Sequence, residues 1–200
     1  MFDAVLRPLI DPPLNRAGKV LANMGVSANS LTFAGLALGL GGAIAIAFGQ
    51  VWLGFALIIA NRVFDGLDGA IARATAPTPL GGYFDIVADF AFYVSVPLGF
   101  GVMASANTLP ALVLVASFVL TGVSFLAFAV IAAERGEATQ ALGKKSFFYS
   151  TGLAEGTETI AVFAAMCLFP TWFGGIAYAY AALCVLTVFQ RSAMAVSRFR

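Results

Sequence analysis

The amino-acid sequence predicts an all-α integral membrane protein: a bundle of about six transmembrane helices, preceded by an N-terminal amphipathic helix lying in the interface. Three observations carry that expectation. Apolar residues make up 60% of the 200-residue chain and the mean hydropathy is +0.93, far above a soluble domain of this length. Charged residues are absent between Lys19 and Arg62, between Asp89 and Glu134, and between Glu158 and Arg191; each gap exceeds the roughly 20 residues that cross a bilayer as a helix. The eleven Lys and Arg fall in the N-terminal segment, in or after the second expected span, between the fourth and fifth, or in the last span and tail, and none lies in the three opposite loops, the pattern of positive-inside topology.

Taken in order, the chain opens with Arg7, Arg16, Lys19, two aspartates and three prolines, a composition unlike the apolar core of a cleavable signal peptide. Phe2, Val5, Leu6, Leu9 and Ile10 give residues 1–24 the character of a juxtamembrane helix on the membrane surface, the alternative being an unstructured basic leader. Dividing the apolar gaps at turn signals places spans at about 31–49, 51–74, 82–104, 108–133, 150–169 and 172–195, so that residues 31–195 form one membrane bundle and 1–200 a single domain. The first break rests on Gly49-Gln50, and Pro77, Pro79, Gly81 and Gly82 read as the loop between the second and third spans. An even number of spans puts both termini, the segment after the second span and the segment from Glu134 to Ser150 on the cytoplasmic side. The expected location is the cytoplasmic membrane of a prokaryote. Gly and Ala recur in every span, as close packing of helices in lipid requires.

Other residue types narrow the chemistry. Cys167 and Cys184 fall inside apolar spans and read as small buried residues. The chain has no histidine, so the commonest general base and transition-metal ligand are missing, and catalysis must rest on carboxylates, hydroxyls and amines. A net charge of +1 without a basic stripe sets nucleic-acid partners aside.

Against this apolar background, residues 65–89, DGLDGAIARATAPTPLGGYFDIVAD, hold four of the ten acidic residues. Asp65 and Asp68 share one face of the second span with Gly69 and Ala72, and Asn61 and Arg62 lie one turn deeper on nearly the same face. Asp85 and Asp89 are four apart on the third span. A short loop makes these spans antiparallel neighbours, so the four carboxylates converge near the cytoplasmic surface. Four such charges cost several kcal/mol each at membrane depth unless neutralised, and Arg62 with Arg73 cannot balance them. Two divalent ions would, and an all-oxygen donor set selects hard ions such as Mg²⁺, Mn²⁺ or Ca²⁺. Two-metal sites hold phosphoryl groups; Gly69, Ala72, Gly81 and Gly82 leave room at the backbone, and Arg73 can fork onto a phosphate, so a diphosphate substrate fits. A cation-coupled transporter is the competing reading, but transporter sites are expected near the midplane, whereas these carboxylates lie within about two turns of the span ends.

The pattern Asp65-x2-Asp68-Gly69-x2-Ala72-Arg73, seven residues, then Gly81-x3-Asp85-x3-Asp89 resembles the signature of the CDP-alcohol phosphatidyltransferases (CDP-alcohol phosphotransferases). Asn29-Ser30-Leu31-Thr32 is similar to that family's entry into the first span. The resemblance implies a membrane enzyme, often dimeric, that moves the phosphatidyl group of CDP-diacylglycerol to the hydroxyl of an acceptor alcohol and releases CMP. By position it implies that Asp65, Asp68, Asp85 and Asp89 ligate two ions, Mg²⁺ or Mn²⁺. It further implies that Asp89 is the general base, and that Gly69, Ala72, Arg73 and Gly81 hold the cytidine diphosphate.

For the acceptor, Arg135, Lys144, Lys145, Gln190 and Arg191 can form a basic pocket suited to a phosphorylated polyol such as glycerol 3-phosphate or an inositol phosphate. The strongest candidates are Lys145 and Arg191, although Lys and Arg at span ends also serve as topology anchors. Glu155 and Glu158, three apart at the start of the fifth span, either pair with Arg191 or Arg62, orient acceptor hydroxyls, or sit at the wet interface; an uncharged amino alcohol would make them its readers.

Overall fold

Seven α-helices and two short 3₁₀ turns, with no strand among the described residues, make up the computed structural model, which describes residues 3–135 and 152–199. They are α1 (Asp3–Asn23), α2 (Ala28–Ala47), α3 (Val51–Ala74), α4 (Pro79–Met103), α5 (Thr108–Glu134), α6 (Gly156–Leu168) and α7 (Phe173–Phe199). Among the described residues, four segments are long and apolar enough to cross a membrane: Ala28–Ala47, Pro79–Met103, Ser105–Glu134 and Pro170–Phe199. The 24 residues of α3 also have the length, but carry Arg62, Asp65, Asp68 and Arg73.

Local chemistry sets the helix ends. Ser27 caps α2 by accepting a hydrogen bond from the backbone N–H of Ser30 at 3.1 Å. The helix stops where Gly49 takes a left-handed backbone (φ 78°), a conformation that a side chain would disfavour. Gly25 (φ 82°) does the same after α1. The third expected span begins earlier than its glycines and prolines suggested. Thr78 accepts from the Gly81 N–H at 3.0 Å and Pro79 occupies the first turn, where its missing N–H costs nothing, so Pro79–Gly82 belong to α4 and only residues 75–78 remain as a loop.

The fifth expected span, 150–169, is shorter than its hydropathy suggested. Helix α6 has 13 residues, about 20 Å of rise against a hydrocarbon core of about 30 Å. Its start is delayed because residues 152–155 satisfy their backbone elsewhere. The Gly152 N–H donates to Glu155 Oε1 at 2.9 Å, the Ala154 N–H to Thr187 Oγ1 at 2.9 Å, and Glu155 itself is extended.

Helix α2 is the principal neighbour of both α3 and α4, so the two aspartate-bearing helices pack along α2 more than along each other, contrary to the expectation that consecutive spans are direct neighbours. Glycines permit the approach. A Cβ on Gly99 of α4 would stand 2.5 Å from the Ala43 carbonyl oxygen of α2, and one on Gly54 of α3 would stand 2.9 Å from the Gly42 carbonyl oxygen. On the other side α5 packs against α4 and α7, and α6 fills the space beside α3 and α7. A core runs through the middle: Ile46, Ile58, Phe92, Phe100, Phe118, Phe163, Met166 and Phe173 are buried, with the Phe92 and Phe163 rings edge-on at 5.7 Å. Helix α1 lies against α3, where Gly18 meets the backbone of Ala70 and Leu14 covers Gly66.

Candidate active site

The last three turns of α3, the loop 75–78 and the first three turns of α4 bring the aspartates together. One carboxylate oxygen each from Asp65, Asp68 and Asp85 lie within 4.8 Å of one another. Asp68 is 4% exposed and accepts a 2.6 Å hydrogen bond from the Thr32 hydroxyl of α2. Asp89 stands one turn deeper on α4, outside that trio, and accepts from Arg62 Nη1 at 3.1 Å; the same nitrogen is 3.5 Å from Asp65. Asp68, Asp85 and Asp89 line a cavity of about 500 Å³ that opens between α2, α3 and α4.

The other residues of the motif surround the same space. Gly69, Ala72, Arg73 and Gly81 all line the cavity. A Cβ on Gly81 would stand 3.0 Å from Thr78 Oγ1 and 3.3 Å from Asn29 Oδ1, so a larger residue would disturb the cap of α4 and narrow the opening. Arg73 presents its fork to α1: Nε and Nη2 donate to Asn15 Oδ1 at 3.1 and 2.9 Å. The deep wall is aromatic, formed by Phe90 and Tyr93 of α4 and Phe125 of α5.

Residues expected to read the acceptor lie elsewhere. Arg191 of α7 is 5% exposed, and its Nη1 donates to the Thr121 carbonyl at 3.0 Å and to Ser124 Oγ at 2.6 Å. Its guanidinium sits 5.6 Å from the Phe125 ring, which places it one aromatic side chain away from the cavity. Glu155 and Glu158 stand at the start of α6 and do not line the cavity. Arg135 donates to the Phe199 carbonyl at 2.5 Å, joining the ends of α5 and α7. Lys144 and Lys145 lie outside the described residues.

Three contacts were not anticipated. Asn15 as the partner of Arg73 had no sequence signal, since the two are 58 residues apart. Thr32 belongs to the Asn29-Ser30-Leu31-Thr32 entry, but nothing in that stretch points to Asp68. Arg62 had a partial signal, its i,i+3 spacing to Asp65, while its stronger partner Asp89 comes from the next helix.

The donor chemistry fits divalent cations. Three like charges within 4.8 Å repel one another, one is buried, and all donors are oxygens, so a hard ion such as Mg²⁺ or Mn²⁺ suits the trio. Asp65, Asp68 and Asp85 are the residues that would hold it.

The family model for CDP-alcohol phosphatidyltransferase matches residues 25–190, a stretch that contains every residue of this cavity. The chain belongs to that family. Its relatives include the inner membrane protein YnjF of Escherichia coli (strain K12), 43% identical over 192 residues, covering 96% of this chain and 93% of that protein. A second is the archaetidylinositol phosphate synthase of Pyrococcus horikoshii, 34% identical over 85 residues, covering 42% of this chain and 45% of that protein. Among solved structures, the Mycobacterium tuberculosis phosphatidylinositol phosphate synthase (PgsA1) with CDP-DAG bound shares the fold, with a TM-score of 0.65, 22% identity and coverage of 90% of this chain and 92% of that one. The same enzyme in complex with manganese and citrate gives a TM-score of 0.65 at 20% identity, covering 90% of this chain and 87% of that one. As a CDP-alcohol phosphatidyltransferase, the chain is a membrane enzyme of phospholipid synthesis, and the transporter alternative finds no support.

Proposed function

We propose that this protein transfers the phosphatidyl group of CDP-diacylglycerol to the hydroxyl of an acceptor alcohol and releases CMP. The observation that carries this reading is the cavity of about 500 Å³ lined by Asp68, Asp85, Asp89 and Arg73, with Asp65 beside Asp68 and Asp85. Two divalent ions held by Asp65, Asp68 and Asp85, with Asp89 as the fourth ligand, would supply positive charge for the diphosphate and for the departing CMP oxygen. The Asp89 carboxylate takes the acceptor's proton as the acceptor oxygen bonds to the lipid phosphorus and the bond to CMP breaks. Arg73 exchanges its Asn15 contact for a phosphate oxygen, and Gly69, Ala72 and Gly81 let the nucleotide approach the backbone. Thr32 holds the Asp68 carboxylate in place.

The acceptor we propose is a phosphorylated polyol, such as an inositol phosphate or glycerol 3-phosphate. The names of the Pyrococcus and Mycobacterium synthases support this class, as does the basic character of Arg191 one ring away from the cavity. We further propose that the active site and both termini face the cytoplasm, in keeping with the distribution of Lys and Arg, and that the protein is a homodimer.

The test is a purified-protein assay with CDP-diacylglycerol, Mg²⁺ or Mn²⁺ and a panel of acceptors. Release of CMP with a phosphorylated polyol supports the reading; no release with any acceptor, alongside metal-dependent solute uptake by reconstituted vesicles, overturns it. Asp89→Asn should lower turnover by about 10²- to 10⁴-fold, the usual worth of a general base, while CDP-lipid binding is retained. Normal turnover in that variant would remove Asp89 from the role of base.

A further inference from the structure

Beyond Asp89 the cavity ends on three rings, Phe90 and Tyr93 of α4 and Phe125 of α5, and one of them carries a hydroxyl. Tyr93 follows Asp89 by four residues, so the two share a face of α4 with Tyr93 one turn deeper. Its ring is held among other rings: the centroids of Phe92, Phe90, Phe118 and Phe163 lie 5.7, 6.1, 6.2 and 6.4 Å away. A phenylalanine would meet that packing equally well, so the hydroxyl is what packing leaves unexplained. A buried tyrosine hydroxyl usually has a hydrogen-bond partner, yet among the described residues none bonds to this one. The first residue of α6 leaves it open. A Cβ on Gly156 would stand 3.4 Å from the Tyr93 oxygen, so the missing side chain exposes that oxygen on the α6 side.

The distribution of polar groups gives that hydroxyl a task. The cavity's other uncharged polar side chains, Ser27, Asn29, Thr32, Thr75 and Thr78, stand at the start of α2, the end of α3 and the loop before α4. They border the mouth, where Gly69, Ala72, Arg73 and Gly81 leave room for the nucleotide, and Thr32 is already bonded to Asp68. At the deep end, Asp89 and Tyr93 are the lining residues whose side chains can bond to an oxygen. An alcohol that gives its proton to Asp89 lies beside that carboxylate, and with the nucleotide toward the mouth it rests against Tyr93. We propose that Tyr93 is an acceptor-binding residue, its hydroxyl bonding to an oxygen of the acceptor next to the hydroxyl that Asp89 deprotonates. The segment before α6 continues the path. A Cβ on Gly152 would stand 3.3 Å from Arg191 Nη2, as one on Gly156 would stand 3.4 Å from the Tyr93 oxygen, so residues 152–156 border both polar groups with glycines. This inference rests on the phosphatidyl transfer proposed above and names a residue that orients its second substrate.

The test is steady-state CMP release by the purified full-length protein with Mn²⁺, varying CDP-diacylglycerol and the acceptor in turn. Glycerol 3-phosphate and an inositol phosphate serve as acceptors, and the proteins are the parent, Tyr93→Phe, Gly156→Ala and the double variant. Tyr93→Phe keeps the ring and removes one oxygen, so it should fold as the parent does. Its kcat/KM for the acceptor should fall by about tenfold, the worth of one hydrogen bond, while the KM for CDP-diacylglycerol stays within about twofold. Gly156→Ala places a methyl against the hydroxyl at ordinary contact distance and suits the first turn of a helix. It should raise the acceptor KM severalfold in the parent and add nothing in the Tyr93→Phe background, because the two changes act on one bond. Parental kcat/KM for the acceptor in Tyr93→Phe overturns the proposal, as does a parallel change in both KM values, which would mark a packing role. An effect of Gly156→Ala that is the same with and without the hydroxyl overturns it too. If the parent itself releases no CMP with any acceptor, it is the proposed transfer that fails, and this inference with it.

Discussion

Thr32 shows how much one hydroxyl contributes at this site. It reaches from the second turn of α2 to Asp68, the most buried carboxylate of the trio, at 2.6 Å. A hydrogen bond to a charged group is worth about 1.5–3 kcal/mol net, and its loss leaves a buried oxygen short of a donor. Thr32→Val keeps the shape and removes only the donor, so it should lower the stability of the metal-free protein by about that amount. A divalent ion offers Asp68 another partner, so with Mg²⁺ present the deficit should shrink. The measurement is thermal unfolding in detergent, with chelator and with Mg²⁺. Equal losses under both conditions would mean that Thr32 acts through packing alone. The roles of such residues were only partly legible in the sequence. The aspartates and Arg73 announce themselves because charges within one or two turns of each other are visible as a spacing. Thr32, Asn15 and the Arg62–Asp89 pair are not visible, because each joins positions 27 to 58 apart whose meeting depends on how the helices pack.

At the scale of elements, α2 is the helix on which the site is assembled, and its glycines have different neighbours along its length. Gly39 faces Phe92, whose ring lies 4.5 Å from the Arg62 guanidinium, and Asn61, whose Oδ1 accepts from Arg62 Nε at 2.7 Å, whereas Gly42 faces Gly54 of α3, about three turns from Asp65 along that helix. Both positions are tightly packed: a Cβ on Gly54 would meet Ile46 and the Gly42 carbonyl, as one on Gly39 would meet Phe92. Gly39→Val and Gly54→Val should therefore each destabilise by about 1–3 kcal/mol through overpacking. They should differ in activity per folded molecule, which falls in Gly39→Val and stays near the parental value in Gly54→Val. Thermal unfolding, together with CMP release normalised to the folded fraction, reads both quantities; equal specific activity would detach Asn61 and Phe92 from the function of the site. Helix existence was legible from hydropathy and charge gaps, and the Gly49-Gln50 break appears as the left-handed Gly49. The failures have local causes that hydropathy does not register. Proline and a capping threonine begin α4 where glycines and prolines read as loop, and the backbone donors of Gly152 and Ala154 find side chains, which shortens α6 to 13 residues.

Across the whole molecule, the aspartate motif occupies α3 and α4 around α2, while α5, α6 and α7 pack on the far side of the aromatic wall. The two parts meet at Phe125, which lines the cavity on one side and lies 5.6 Å from the Arg191 guanidinium on the other. Arg191 bonds to Thr121 and Ser124 through Nη1, so it joins α7 to α5 whatever else it does. On the proposed function the motif holds the CDP-lipid and leaves the second substrate to other residues, among which Arg191 is a buried cation one ring away from the cavity. If Arg191 reads a phosphorylated acceptor, Arg191→Ala should raise the KM for that acceptor by about tenfold or more while the KM for CDP-diacylglycerol changes little, because a charged hydrogen bond is lost to one substrate only. If its role is confined to joining α5 and α7, the loss of a buried, bonded guanidinium will loosen the wall behind Phe125 and affect both substrates alike. Arg191→Lys sharpens the comparison, since it keeps the charge but cannot reproduce the fork. Steady-state CMP release with each substrate varied in turn distinguishes the outcomes. A selective rise for the acceptor in both variants, larger in Ala than in Lys, is the expected result, and parallel changes in the two KM values would confine Arg191 to the scaffold.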